Sequence, residues 1–114
     1  MNEIDKMATR AADCRVMEEV RVEIDRIDRE LVMLIAERQG YIEAAARIKD
    51  REDEVRLEWR IEEVVAKVLR AAETAGLSKR IAEPVWREMI ERCIEHEHEI
   101  WRLEKKRQEA KKAS

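Results

Sequence analysis

The sequence predicts an all-α fold, and its composition gives the main reasons. The chain has 114 residues, of which only two are Gly and one is Pro. A β-sandwich or barrel needs a turn every ten residues or so, with residues such as these to make it. Ala, Leu, Glu, Arg and Lys are instead strong helix formers. Hydrophobic residues make up 45% of the chain and charged residues another 45%, which leaves little for loops. We therefore expect one helical domain over residues 1–114.

Charge and hydropathy exclude several classes of partner. The net charge of −3 comes from 27 acidic and 24 basic residues that are mixed along the chain, so we expect no nucleic acid partner. No apolar run approaches the roughly 20 residues needed to cross a bilayer, and the N-terminus has no apolar signal region. We expect no membrane partner and a cytoplasmic location. Cys14 and Cys93 suit a reduced protein as small apolar side chains, and neither predicts a metal site.

A long apolar seam predicts the first and longest helix. Its members are Val20, Ile24, Ile27, Leu31, Leu34, Arg38, Tyr41, Ala45 and Ile48. The steps alternate between four and three residues, so one stripe persists for about eight helical turns. Two shorter helices cannot cover a stripe of that length, and we expect two chains to pair along it as a homodimer. The charged segment 49–54 is the expected bend.

Two shorter helices are predicted after this bend. The apolar face of the second is Ile61, Val64, Val65, Val68, Leu69 and Ala72, and that of the third is Val85, Trp86, Met89, Ile90, Cys93, Ile94 and Trp101. Gly76 is expected to end the second helix. Ser78 can cap the third helix, but Pro84 would then lie inside it. The regular helix therefore either starts near Pro84 or has a kink there.

The ends of the chain carry weaker patterns. The first dozen residues and the basic tail 105–114 are expected to fray, which leaves a core of about residues 14–101. His96 and His98 are two residues apart on a helix and point in different directions. We expect them to be solvated surface residues rather than metal ligands.

Three charged residues interrupt the apolar seams and are the main functional signal. Arg38 and Lys49 lie eleven residues apart, almost three helical turns, so they share a face. Glu97 lies between Cys93 and Trp101 on the inner face of the third helix. A buried charge needs a partner. Ordinary salt bridges would satisfy all three, but a dicarboxylate held between the helices also fits, since Arg binds carboxylates bidentately.

The first helix resembles that of the all-helical chorismate mutase family, which includes the related isochorismate-pyruvate lyases. The stretch 17–38, MEEVRVEIDRIDRELVMLIAER, has an early Arg, an Ile-Asp repeat and a final Ala-Glu-Arg. Lys49 follows eleven residues later. The resemblance covers roughly residues 14–101. It implies three helices per chain, one long and two shorter, in an intertwined homodimer with two active sites and no cofactor.

The resemblance also implies roles for individual residues. Arg38, together with Arg21 from the partner chain, would hold the two carboxylates of chorismate. Lys49 would donate to the ether oxygen, and Glu97 would lie beside the same oxygen, where it can donate only when protonated. This would make the enzyme more active in mild acid. Arg60 and Cys93 would line the pocket.

The reaction implied is the rearrangement of chorismate to prephenate, with Arg38, Lys49 and Glu97 as the catalytic residues. Leu57 and Ile61 stand where many members carry an Asp and a Glu that help to bind the ring hydroxyl region. Isochorismate-pyruvate lyases carry apolar residues there, so a salicylate-forming lyase is the alternative. A non-catalytic helical dimer is a second alternative, in which Arg38 and Lys49 are merely salt-bridged.

Overall fold

The structure, a computed structural model, describes residues 8–113, and its regular elements within that range are all helical. Within that range there are three α-helices and no strand: α1 (Met17–Ile48), α2 (Glu58–Ala75) and α3 (Lys79–Ala113). Two short 3-10 turns, Ala11–Asp13 and Glu52–Glu54, precede α1 and α2. The all-α class and the three helices are confirmed. None of these helices has an apolar stretch long enough to cross a membrane.

The predicted lengths were wrong for the third helix. At 35 residues α3 is longer than α1, which has 32. The tail expected to fray from residue 105 is helical through Ala113. Its composition explains this, because Lys111 and Lys112 lie in the last turn, where cations interact favourably with the helix dipole. Of the N-terminal arm, residues 1–7 lie outside the described residues.

The chain divides into two compact units between Arg38 and Gln39, a point within α1. In the described part of the N-terminal unit, the start of α1 is fixed by Glu19. Its Oε1 accepts hydrogen bonds from the backbone N–H groups of Arg15 at 3.1 Å and Val16 at 3.2 Å. A carboxylate three residues into a helix commonly satisfies these exposed donors. The expectation of a single domain remains a prediction.

The C-terminal unit has its own apolar core. Ile61, Val65 and Ile90 are buried against one another, with Val64, Leu69, Trp86 and Ile94 packed around them. The predicted apolar faces of α2 and α3 therefore meet. Burial of such side chains stabilises a fold by about 1.5–3 kcal/mol each.

Two ion pairs brace α3 from outside this core. Arg87 donates through both terminal nitrogens to the Glu62 carboxylate, at 2.9 Å each. Arg56 contacts Glu91 in the same way, at 2.9 and 3.0 Å. These bidentate pairs fix α3 to α2 and to the segment just before it.

The turn between α2 and α3 follows its sequence signals. Gly76 has φ +78°, and its N–H contacts the Glu73 carbonyl at 3.3 Å while Leu77 N–H reaches the Ala72 carbonyl at 2.8 Å. This is the glycine-terminated helix end that was predicted. The Ser78 carbonyl accepts from Ile81 and Ala82, so α3 begins directly after Ser78. Pro84 lies inside the helix, so the alternative start near Pro84 was wrong.

Not every residue of the predicted apolar faces is covered in the single chain. Val85 was assigned to the inner face of α3 but is 51% exposed. The α1 seam is exposed at Ile24, Ile27, Leu31, Leu34, Tyr41 and Ile48. The core of the C-terminal unit thus covers only part of the apolar surface that the sequence provides.

Candidate functional site

The centre of the candidate site is an ion pair between Lys49 and Glu97. Lys49 Nζ lies 2.7 Å from Glu97 Oε2, and only 5% of the Glu97 side chain and 23% of the Lys49 side chain are exposed. Lys49 follows the last residue of α1, and Glu97 lies on the inner face of α3. The sequence predicted that both charges would face the interior and that they would pair with each other or bind a ligand. The structure shows the pairing of Lys49 with Glu97.

The main chain of Lys49 is held by the same face of α3. Trp101 Nε1 donates to the Lys49 carbonyl oxygen at 3.0 Å. Glu97 and Trp101 are four residues apart and therefore adjacent on the helix surface. The Lys105 ammonium lies 5.3 Å from the centroid of the Trp101 ring, within the range of a cation–π contact. One helical face thus contacts both the ammonium and the backbone of Lys49.

Both histidines flank this pair, and each contacts a carboxylate, so the prediction of solvated surface residues holds only in part. His96 Nε2 lies 2.6 Å from Glu43 Oε2, and His98 Nδ1 lies 2.8 Å from Glu52 Oε2. About a third of each imidazole side chain remains exposed. Because the two histidines point in different directions on α3, one reaches α1 and the other reaches the turn before α2.

These contacts lower the pKa values of the two carboxyl groups. The hydrogen bond from His96 is the main cause for Glu43, and Gln39 adds a second at 3.1 Å. For Glu52 the main cause of the lowered pKa is Arg102, whose Nη2 lies 2.6 Å from Oε2, with His98 contributing as well. Both carboxylates therefore stay ionised at neutral pH and hold α3 against the end of α1 and the following turn.

The other predicted site residues are distributed over the three helices. Arg21, which is exposed, and Arg38, which is half-buried, belong to the N-terminal unit. Arg60 lies on α2 with 52% of its side chain exposed, and its Nη1 contacts Glu63 Oε1 at 2.7 Å. Cys93 is half-buried on α3, one turn before Glu97. Their roles at a substrate pocket remain predictions.

The two positions that depart from the family pattern have structural roles. Ile61 is 8% exposed and belongs to the core with Val65 and Ile90. Leu57 precedes α2, and its carbonyl accepts hydrogen bonds from Arg60 and Ile61, both at 3.0 Å. Neither side chain offers a polar group to a ligand hydroxyl.

The described part of the chain offers no group of three or more His, Cys, Asp or Glu side chains arranged to hold a metal ion. What the Lys49–Glu97 cluster offers is an ammonium with three N–H donors in partly dehydrated surroundings. Electrostatic interactions are stronger in such surroundings than in water. The arrangement suits the stabilisation of negative charge on a small anionic ligand.

Sequence reasoning missed Trp101, His96, His98 and Arg102 as neighbours of the site. The spacing of Glu97 and Trp101 placed the indole on the correct face, and this was the available signal. The indole N–H of Trp101 donates to a main-chain carbonyl. Every residue has such a carbonyl, so the sequence could not identify this partner. Glu43 and Glu52 are two among many acidic residues, so the sequence could not identify them as partners.

Comparison of the sequence with known proteins gives two matches. The family model described as chorismate mutase type II matches residues 20–98. The isochorismate pyruvate lyase of Pseudomonas aeruginosa is 30% identical over 90 residues, which cover 79% of this chain and 89% of that protein. Both matches span Lys49, and the family match also includes Glu97.

Proposed function

Because the chain belongs to the chorismate mutase type II family, we propose that it is a chorismate mutase, which rearranges chorismate to prephenate. The observation that carries this proposal is the partly buried ion pair between Lys49 and Glu97. The resemblance of the sequence assigns these two positions to the ether oxygen of the substrate. A partly dehydrated ammonium at this point would stabilise the negative charge that develops on the oxygen as the ether bond breaks.

The reaction is intramolecular and needs no cofactor or covalent intermediate. The ether C–O bond breaks as a new C–C bond forms within the same molecule, and negative charge develops on the ether oxygen. The protein has to hold a compact conformer of the substrate and place a donor where this charge appears. In the proposal Lys49 Nζ is that donor, and Glu97 holds the ammonium before the substrate arrives.

The two substrate carboxylates require further cations. We assign one to Arg38 and the other to Arg21 of a second copy, because the resemblance assigns these roles and guanidinium groups match carboxylates geometrically. Arg60 is proposed to line the pocket from α2. Cys93, one turn from Glu97 on α3, is proposed to contact the bound ring.

A homodimer is part of the proposal, and the exposed seam of α1 supports it. Leu31, Leu34 and Tyr41 are 47%, 62% and 71% exposed in the single chain. Contiguous apolar surface of this kind on one helix is typical of a protein–protein interface. A second copy that packs along α1 would cover it and would supply the second arginine of each site.

A second candidate function is isochorismate-pyruvate lyase. The relative from Pseudomonas aeruginosa carries that name, and the apolar Leu57 and Ile61 favour it, since neither can bind a substrate hydroxyl. The lyase reaction breaks the same ether bond, so it would use the same ammonium. Glu97 favours the mutase, because the resemblance implies that the lyases usually carry Gln at this position.

Product analysis separates the two candidates. Purified protein is incubated with chorismate and with isochorismate in separate reactions, and the products are resolved by chromatography with ultraviolet detection. The proposal predicts prephenate from chorismate. Pyruvate and salicylate from isochorismate, with little prephenate, would assign the lyase instead. Turnover of neither compound would contradict both candidates and favour the non-catalytic dimer.

A further inference from the structure

The carbonyl group of Lys49 has an uncommon hydrogen-bond partner. Lys49 N–H donates to the Ala45 carbonyl at 2.9 Å, which continues the bonding pattern of α1. The Lys49 carbonyl lies at the end of that helix, where the last four carbonyl groups have no N–H donor within the helix itself. In the structure this carbonyl accepts from the indole N–H of Trp101 at 3.0 Å, across 52 residues of sequence.

Trp101 and Glu97 therefore hold the two ends of one residue. Glu97 contacts the ammonium at 2.7 Å and Trp101 contacts the main chain at 3.0 Å. A lysine side chain has four rotatable bonds, so its ammonium is held in one place only when both the backbone and the ammonium are fixed by contacts. Displacements of about 1 Å in a catalytic group can lower a rate about a hundredfold.

The two contacts differ in what happens when a substrate binds. The ammonium has three N–H groups, and at least one must turn from Glu97 or from water to the ligand. The contact from Trp101 uses only the carbonyl, so it is independent of that rearrangement. It can keep the Lys49 backbone at a fixed distance from α3 while the ammonium changes partners.

We propose that Trp101 is a positioning residue for Lys49, which acts through the hydrogen bond from its indole N–H to the Lys49 carbonyl. The inference rests on the proposed function. The contact of Lys105 with the face of the ring, at 5.3 Å, helps to hold the indole in the orientation in which its N–H points to the carbonyl.

Two replacements of Trp101 remove the donor with little other change. Trp101→Phe keeps an aromatic ring beneath Lys105, and benzothienylalanine, introduced at the same position by nonsense suppression, keeps the bicyclic shape with sulfur in place of the N–H. Trp86→Phe is the matched control. It trims an indole on the same helix that packs against the core of the C-terminal unit.

The steady-state constants for chorismate and the melting temperatures are measured for all variants. Loss of the hydrogen bond that fixes the Lys49 backbone should let the ammonium move away from the ether oxygen, which predicts a kcat about tenfold lower. KM should stay within about twofold, because the substrate carboxylates keep their arginines. The benzothienylalanine variant should match Trp101→Phe in kcat and melt close to the wild type. Trp86→Phe should lower the melting temperature and leave kcat unchanged.

A measurement without substrate tests the hydrogen bond itself. In a 15N-labelled sample, the indole N–H of Trp101 should exchange with solvent more slowly than that of Trp59, a residue that is 64% exposed. Equal exchange rates would overturn the positioning role whatever the activity.

The remaining outcomes distinguish this inference from the proposed function. A wild-type protein active on chorismate, together with a benzothienylalanine variant of unchanged kcat, would overturn the positioning role alone. A wild-type protein that turns over neither chorismate nor isochorismate would overturn the proposed function and the positioning role with it.

Discussion

Lys49 and Glu97 lie 48 residues apart in the sequence and are joined by a contact of 2.7 Å between Nζ and Oε2. Each residue alone interrupts an apolar pattern, and together they neutralise each other within the C-terminal unit. Desolvation of two charges can cost more than their attraction gains. A pair of this kind is therefore weak evidence for a purely stabilising role. It is consistent with a binding site in which a ligand contacts the two charges.

The pair predicts strongly non-additive stabilities. Lys49→Met should leave the Glu97 carboxylate buried without its cation, and we expect the free energy of unfolding to fall by about 3 kcal/mol. Adding Glu97→Leu should restore most of this loss, because both charges are then gone. Urea unfolding at one protein concentration measures Lys49→Met, Glu97→Leu and the double variant. Additive losses in the double variant would show that the two side chains do not interact.

Glu97→Gln should raise kcat for chorismate. The Glu97 carboxylate accepts a hydrogen bond from Lys49, whereas the amide of the variant can also donate one to the ether oxygen. Steady-state assays of the two proteins at one pH provide the comparison. A kcat that the substitution lowers or leaves unaltered would contradict a donor role for residue 97.

The fold should lose stability in acid through its bridging carboxylates. Arg87 holds the pKa of Glu62 below its ordinary value, and Arg56 does the same for Glu91, in each case mainly through hydrogen bonds. A lowered pKa in the folded state stabilises the fold above the ordinary value of 4.5. That contribution is lost as the pH falls through the lower, folded value.

Melting temperatures between pH 7 and pH 3 test this expectation. They should be nearly constant above about pH 5 and fall below it. Glu62→Gln should melt lower than the wild type at pH 7, and the difference should shrink towards pH 3. Because both partners are largely exposed, the effect should be small and should weaken in high salt. A difference that grows as the pH falls would contradict the assigned direction.

Mixed dimers test whether two chains share a site. Arg21→Ala and Arg38→Ala should each be inactive alone, since each removes one carboxylate-binding group from both sites. After the two are unfolded and refolded together, a random half of the dimers contains one of each chain, and one site in such a dimer is intact. About a quarter of wild-type activity should return. Mixtures as inactive as their components would contradict an arginine donated by the partner.

The sequence predicted those features that depend on local chemistry or on helical periodicity. Gly76 ends α2 because its φ of +78° suits a residue without a side chain. The burial of Glu97 follows from its place between Cys93 and Trp101 on one helical face. The meeting of Ile61, Val65 and Ile90 follows from two apolar stripes that must cover each other.

The remaining features depend on information that periodicity does not contain. Neighbouring residues on a helix differ in direction by about 100°. A broad apolar stripe therefore does not predict that Val85 is exposed while Trp86 packs against the core of the C-terminal unit. The partners of His96 and His98 depend on which end of α3 meets the turn before α2. The length of α3 depends on many weak contributions, such as the contact of Arg107 with Glu104 at 3.2 Å.

The most direct test of the central claim is the kcat/KM of Lys49→Met for chorismate, compared with that of Lys67→Met. Lys67 is an exposed lysine on α2, so the control removes the same charge from outside the site. We predict a loss of about a hundredfold to a thousandfold for Lys49→Met, as is usual when one donor to a developing oxyanion is removed, and no change for Lys67→Met. A Lys49→Met variant that stays folded and keeps kcat/KM within about threefold of the wild type would contradict the account.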